Sequence, residues 1–266
     1  MDLLVSNPVP FDRQRRVDAG ALRAHVTWLA EQGVAGFLPG ADEFLYLYPE
    51  EKRLVHQVVL ESASDAYVLP CVWDPDPEVA TVLARHAEDH GAAGVVLPPP
   101  LGVPLPPSAL RAWYSNLADA VTIPVYAAHD PAWANALQVD ALTELFLEGQ
   151  LAGLADRSCD LQRLRRMTDA HTADVIACGD ELAGEVATLP ALAGFVSVMA
   201  NLWPVEARAV MDQDAPAGPW LQRMGDVRRA GGLLAVKTAL GMRARAPLHD
   251  PEQKPLKGLP PVGFTL

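Results

Sequence analysis

Eight short apolar runs, each followed by a longer amphipathic stretch, predict an α/β fold: a (β/α)8 TIM barrel with a short C-terminal helical and irregular extension. Three observations carry that expectation. The runs and stretches alternate with a repeat of roughly 25–30 residues, the spacing of strand–helix units closed into a barrel. The chain has 266 residues, 50% of them hydrophobic, which is material for one large core. No G-x-G-x-x-G follows the first run and no G-x-x-x-x-G-K-[ST] occurs, which disfavours an open dinucleotide- or nucleotide-binding sheet.

The elements are justified in order. Residues 3–5 are the first strand, and Asp18 caps a helix over 18–32 that enters on Ala21-Leu22 and ends at Gly33. Residues 34–38 are the second strand. Pro49-Glu50-Glu51 then places a proline and two acids in the first turn of a helix over 49–62. The third unit is strand 67–72 with helix 77–90, stopped by Gly91, and the fourth is strand 94–97 with helix 107–120. Strand 123–128 and helix 139–148 make the fifth. Strand 152–155 leads through Asp160 and Leu161 into helix 160–170. Strand 174–178 with helix 181–189 and strand 194–199 with helix 204–212 complete eight units. Residues 1–212 are thus the barrel. Residues 213–266 are a tail packed on it within one domain, with a helix over 228–240 and an irregular proline-rich end over 247–266.

Composition narrows function. A net charge of −12 argues against nucleic acid and anionic membranes, which both require a basic face. No apolar run approaches the ~20 residues of a membrane span, and no basic segment with an apolar stretch opens the chain, so a cytoplasmic location is the default. Cys71, Cys159 and Cys178 are an odd number without close spacing, which suits reduced thiols and neither a CxxC site nor a disulfide framework.

Several segments carry a family resemblance, in order along the chain. Pro10-Phe11-Asp12 with Val17-Asp18 and Ala21-Leu22 is one. Gly36 to Glu43-Phe44, with Leu47 and Pro49-Glu50-Glu51-Lys52-Arg53, is another, followed by His86-Ala87-Glu88 to Pro98-Pro99. Leu151-Ala152-Gly153-Leu154-Ala155-Asp156-Arg157-Ser158-Cys159-Asp160, Gly179-Asp180-Glu181 and 194–201 complete the set. Together they resemble the dihydrodipicolinate synthase / N-acetylneuraminate lyase family from about Leu4 to Leu240. That resemblance implies a barrel whose sixth strand carries a lysine that forms a Schiff base with a 2-oxo acid. Ala155 stands at that position.

Other family positions differ as well. The two threonines that hold the oxo acid's carboxylate correspond to Gly40 and Ala41. The proton-shuttling tyrosine corresponds to Ala128 and the following asparagine to His129, while the proline is kept as Pro131. The arginine and threonine beyond it become Trp133 and Ala134. The tyrosines after Pro98-Pro99 become Pro100 and Leu101, and glycines near the third strand become Cys71 and Trp73. The four lysines, Lys52, Lys237, Lys254 and Lys257, lie at no predicted strand end. Schiff-base chemistry needs a desolvated amine and a proton shuttle in reach, and neither is present.

Polar residues do follow the strands. His129, Asp156 and Glu43 are the candidate acid/base groups, and no residue is assigned a catalytic role outright. Gly40, Ala41, Asp42, Trp73, Trp133, Cys178, Asp180 and Asn201 are the expected pocket lining. Alternatives stay open for several. Asp130, Asp156 and Asp180 equally suit helix caps. Cys178 suits a packing thiol or a nucleophile. Trp73 and Trp133 either reshape the pocket or fill vacated space. His129, Asp156, Asp180 and Glu43 come from separate strands at undiagnostic spacing, so no metal and no other cofactor is predicted. Tyr46 and Tyr48 suit a subunit contact, since the family's habit implies a homo-oligomer, dimer or tetramer.

Three functions follow. The first is a pseudo-aldolase binding a small metabolite or partner without lyase turnover. The alternative is an aldolase-like enzyme of lysine-independent chemistry on a small carbonyl or carboxylate compound. A third is an inactive subunit assembled with an active paralogue.

Overall fold

The computed structural model describes residues 1–39, 41–169, 173–189, 191–245 and Phe264, with only the backbone of Ala41 and Asp42. Strands and helices alternate as β1 (Asp2–Val5), α1 (Ala19–Glu31), β2 (Gly36–Phe37), α2 (Pro49–Ser62), β3 (Tyr67–Val68), α3 (Pro77–Asp89), β4 (Val95–Leu97) and α4 (Pro107–Ala118). They continue as β5 (Val125–His129), α5 (Val139–Leu147), β6 (Gly153–Asp156), α6 (Leu161–Asp169), β7 (Asp174–Cys178), β8 (Gly194–Ser197), α7 (Pro204–Met211), α8 (Ala217–Arg229) and α9 (Leu233–Ala239). Local chemistry sets the helix starts. Asp18 Oδ1 accepts the Ala21 amide at 3.0 Å, and Asp76 accepts that of Glu78. Pro49, Pro77, Pro107 and Pro204 occupy first turns, where a missing N–H costs nothing.

The strands run in the order β3-β2-β1-β8-β7-β6-β5-β4, and every adjacent pair is parallel. The ends meet: Val72 N–H donates to Val96 O and Val96 N–H to Pro70 O, both at 2.9 Å, so the sheet closes into the (β/α)8 barrel. Alternation along each strand divides the apolar residues into two cores. Leu154, Ala127, Val175 and Ala177 face the helices. Leu4, Leu69, Val96, Ala128, Ala155, Ile176, Cys178 and Val196 face one another inside the barrel.

The N-terminal end of the barrel is plugged. Tyr126 leans across it and donates from Oη to Asp174 Oδ2 at 3.0 Å. Gly153 makes room for that ring: a Cβ there would sit 2.6 Å from it and collide with the Asp174 carbonyl. Space within the barrel therefore opens toward the C-terminal strand ends.

Two expected helices differ. Residues 181–189 form two short 3-10 turns, Asp180–Leu182 and Val186–Thr188, because Gly184 interrupts them and the first residue of α8 packs against that glycine. The expected helix over 228–240 is broken at Gly231-Gly232, with φ of 112° and 60°, into the end of α8 and a separate α9. Of the expected irregular end over 247–266, only Phe264 is described, packed against Trp28 and His25 of α1; the remainder lies outside the described residues. No helix among the described residues is long and apolar enough to cross a membrane.

Candidate functional site

At the C-terminal ends of the strands lies a cavity of about 170 Å³. Its origin is in the inner layer of the barrel. Ala128 of β5 and Ala155 of β6 are partners in register, so two methyl-sized side chains stand side by side. Leu38, Val96 and Val196 supply the other inner walls, and Phe44 and Trp133 close over them. The polar side chains among the lining residues are few: Ser6, the thiols of Cys71 and Cys178, and Arg157.

Arg157 follows β6 two residues after Ala155, so the period-2 alternation that turns Ala155 inward turns Arg157 toward the mouth. Its Nε lies 3.5 Å from Asp130 Oδ2, and its side chain remains 42% exposed. A second cavity of about 280 Å³ adjoins the first and shares Arg157, Cys178, Gly179 and Val198 with it. Its far side is built by α8 and α9, where Arg228 pairs with Glu181. Arg157 is not among the pocket residues expected from the sequence, and strand periodicity is the signal that finds it.

The other expected site residues separate into two groups. Ala128, Ala155, Trp133 and Cys178 line the first cavity. Burial pushes the Cys178 thiol up to about 12, which favours the packing thiol over the nucleophile. Asp180 reaches only the second cavity, where its carboxylate is fully engaged. It accepts from Ser197 Oγ, from Val198 N–H at 3.0 Å and from Met199 N–H at 3.1 Å.

The second group faces away from the first cavity, for identifiable reasons. His129 and Asp156 each follow an inward-facing alanine and so point outward. His129 Nδ1 accepts the Leu137 amide at 3.1 Å, and burial lowers its pKa. Asp156, with no exposed surface, holds Arg163 Nε at 2.6 Å and the Ser158 amide at 2.8 Å. Glu43 accepts the Val9 amide at 2.9 Å and pairs with buried Lys237, tying the loops after β1 and β2 to α9. Burial pushes Glu43 up and Lys237 down, each opposed by attraction to the other.

Asn201 accepts from His25 Nε2 at 3.0 Å and donates to the Ser6 carbonyl at 2.8 Å, so it supports the cavity wall from behind. Trp73 lies beside the Lys52 ammonium, 5.4 Å from its ring centroid, and not in the lining. Gly40 lies outside the described residues. Ala41 and Asp42 open a 3-10 turn, Ala41–Tyr46, and only their backbone is placed. His129, Asp156, Asp180 and Glu43 are thus occupied by four different sets of partners. Among the described residues no three His, Cys, Asp or Glu side chains approach closely enough to hold a metal ion.

The geometry is that of a barrel with a cavity at the C-terminal strand ends, and the relatives share the fold. The sequence profile of the Dihydrodipicolinate synthetase family matches residues 2–218. The chain belongs to this family. An uncharacterized DapA-like lyase of Halobacterium salinarum is 31% identical over 262 residues, covering 94% of this chain and 86% of the relative. A 4-hydroxy-tetrahydrodipicolinate synthase of Methanococcus maripaludis is 26% identical over 212 residues, covering 76% of this chain and 71% of the relative. CdNal of Clostridium difficile, solved in complex with mannosamine, superposes with a TM-score of 0.86 at 17% identity, over 94% of this chain and 93% of that one. The structural likeness is one of fold. What this family member does with the site depends on the residues that line it.

Proposed function

We propose that this family member is a pseudo-aldolase: it binds a small molecule at the barrel mouth and does not form a Schiff base with pyruvate. The observation that carries the reading is Ala155. It faces the cavity from β6, next to Ala128 on β5, and neither side chain has an atom that can attack a carbonyl or move a proton. The lysines among the described residues are committed elsewhere. Lys52 Nζ donates to Asp74 Oδ2 and to the Trp73 carbonyl, both at 2.9 Å, and Lys237 is held by Glu43 and the Val9 carbonyl. Neither lines the cavity.

Lysine-independent catalysis by His129, Asp156 or Glu43 is the less favoured reading, because none of the three lines the cavity and each is bonded elsewhere, His129 through Nδ1 to the Leu137 amide. The reading extends to assembly. Tyr46 and Tyr48 are 56% and 69% exposed, and a second copy of the chain would cover that aromatic face, which light scattering tests.

Borohydride trapping decides the central point. Incubation with pyruvate and borohydride should leave the intact mass of the protein unchanged. A stable adduct on any lysine would overturn the proposal.

A further inference from the structure

We infer that the ligand of this cavity is a carboxylic acid with a ring-sized apolar body, its ring packed over Ala128 and Ala155 and its carboxylate at Arg157. This rests on the reading of the cavity as a binding site and names the class of molecule it takes.

The well explains the body. Two adjacent alanines in a layer otherwise built of leucine, valine, isoleucine and Cys178 leave a void whose inner walls are predominantly apolar. Its volume, about 170 Å³, is close to that of an engineered apolar protein cavity of about 150 Å³ that stays dry and binds benzene. A compact oxo acid, polar at most of its heavy atoms, would lose its hydration there without recovering hydrogen bonds. A phenyl ring or a branched aliphatic group of similar size loses nothing by entering.

The mouth explains the charge. Among the described residues lining the well, Arg157 is the charged one, and it stands on the wall shared with the second cavity, at the boundary between apolar well and polar antechamber. A planar guanidinium matches a carboxylate, and Asp130 Oδ2 meets this one at Nε over 3.5 Å with the side chain 42% exposed. A ligand carboxylate therefore approaches a cation already positioned by a carboxylate, and it competes with Asp130 for it. The protein's net charge of −12 makes a local cation at the mouth the feature that admits an anion at all.

The test uses the full-length protein and three probes: 3-phenylpropanoate, 3-phenylpropan-1-ol and pyruvate, titrated by calorimetry. The acid should bind at least tenfold tighter than either the alcohol or pyruvate. Arg157→Gln should weaken the acid about ten- to a hundredfold, the effect of one charge-assisted hydrogen bond, and leave the alcohol unchanged. Asp130→Asn should tighten the acid by removing its competitor, and Ala155→Leu should exclude both ring compounds by filling the well. Equal binding of acid and alcohol, pyruvate binding as tightly as the acid, or an Arg157→Gln variant with unaltered affinity would each overturn the inference. The probe comparison needs no substitution, so a variant that fails to fold does not rescue it. Borohydride trapping separates the two levels: a pyruvate adduct overturns the pseudo-aldolase reading, whereas no adduct and no binding of the acid overturns only the ligand class.

Discussion

Acid should weaken this protein from near pH 6.5 downward, because two histidines are sealed in the core as neutral rings. His56 Nε2 donates to the Cys71 carbonyl at 3.0 Å, its ring is stacked on Phe44 at 5.1 Å, and its Nδ1 has no partner. His25 Nε2 meets Asn201 Oδ1 at 3.0 Å, and its Nδ1 is likewise buried and unpartnered. A proton added at either Nδ1 would be a buried charge without a counter-ion. Burial accordingly lowers His56 from 6.5 to about 3, with smaller opposition from the Cys71 hydrogen bond and smaller reinforcement from His86 and Lys52. It lowers His25 to about 4.

The unfolded chain takes up these protons near pH 6.5 and the folded chain does not, so stability present above 6.5 is lost as the pH falls toward the folded values. Each histidine contributes a slope of about 1.4 kcal/mol per pH unit in that window. The full gap corresponds to about 5 kcal/mol for His56 and about 3 kcal/mol for His25, ample against a typical total of roughly 5–15 kcal/mol. Both rings support cavity residues, His56 through Cys71 and His25 through the Asn201 bond to Ser6, so ligand binding should fall with stability.

Urea unfolding at a series of pH values is the assay. His86 and His129 are also lowered by burial, so the informative quantity is the difference between the unaltered protein and His56→Gln, not the absolute slope. The variant should lose about 1.4 kcal/mol per pH unit of slope between about pH 6 and pH 5. Parallel curves for the two proteins would refute the reasoning.

Two further outcomes are expected. Lys237→Met should destabilise the fold by about 3–5 kcal/mol by leaving the Glu43 carboxylate buried and unpaired. The double variant Lys237→Met, Glu43→Leu should recover much of that loss in a urea double-mutant cycle. Ala155→Lys alone should not give turnover with pyruvate in a coupled lyase assay, because Ala128 beside it still offers no proton shuttle; measurable lyase activity would show that one amine suffices in this barrel.

Much of the architecture was legible in the chain because its signals are local. Proline in the first turns, Asp18 as a cap and Gly33 and Gly91 at left-handed positions fixed where elements begin and end. The tail was harder to read. Gly231-Gly232 divides what reads as one helix, and the segment after β7 bends around Gly184 where α8 packs on it. Neither arrangement is encoded in helical periodicity.

The site was legible only in part. Proximity to strand ends placed His129, Asp156 and Glu43 at the mouth, yet direction matters as much as position. An inward alanine at 128 or 155 makes the next residue face outward, and the same period brings Arg157 to the cavity. By itself, the sequence determined the barrel, the methyl side chains at 128 and 155 and the negative charge, because these follow from residue identity and short-range pattern. Only the tertiary structure decided what the polar residues do. The Glu43–Lys237 pair spans 194 residues of chain, and Asn201 reaches Ser6 across 195. Such partners meet only once the barrel has closed, and it is those meetings that remove the buried acids from the cavity and leave Arg157 at its mouth.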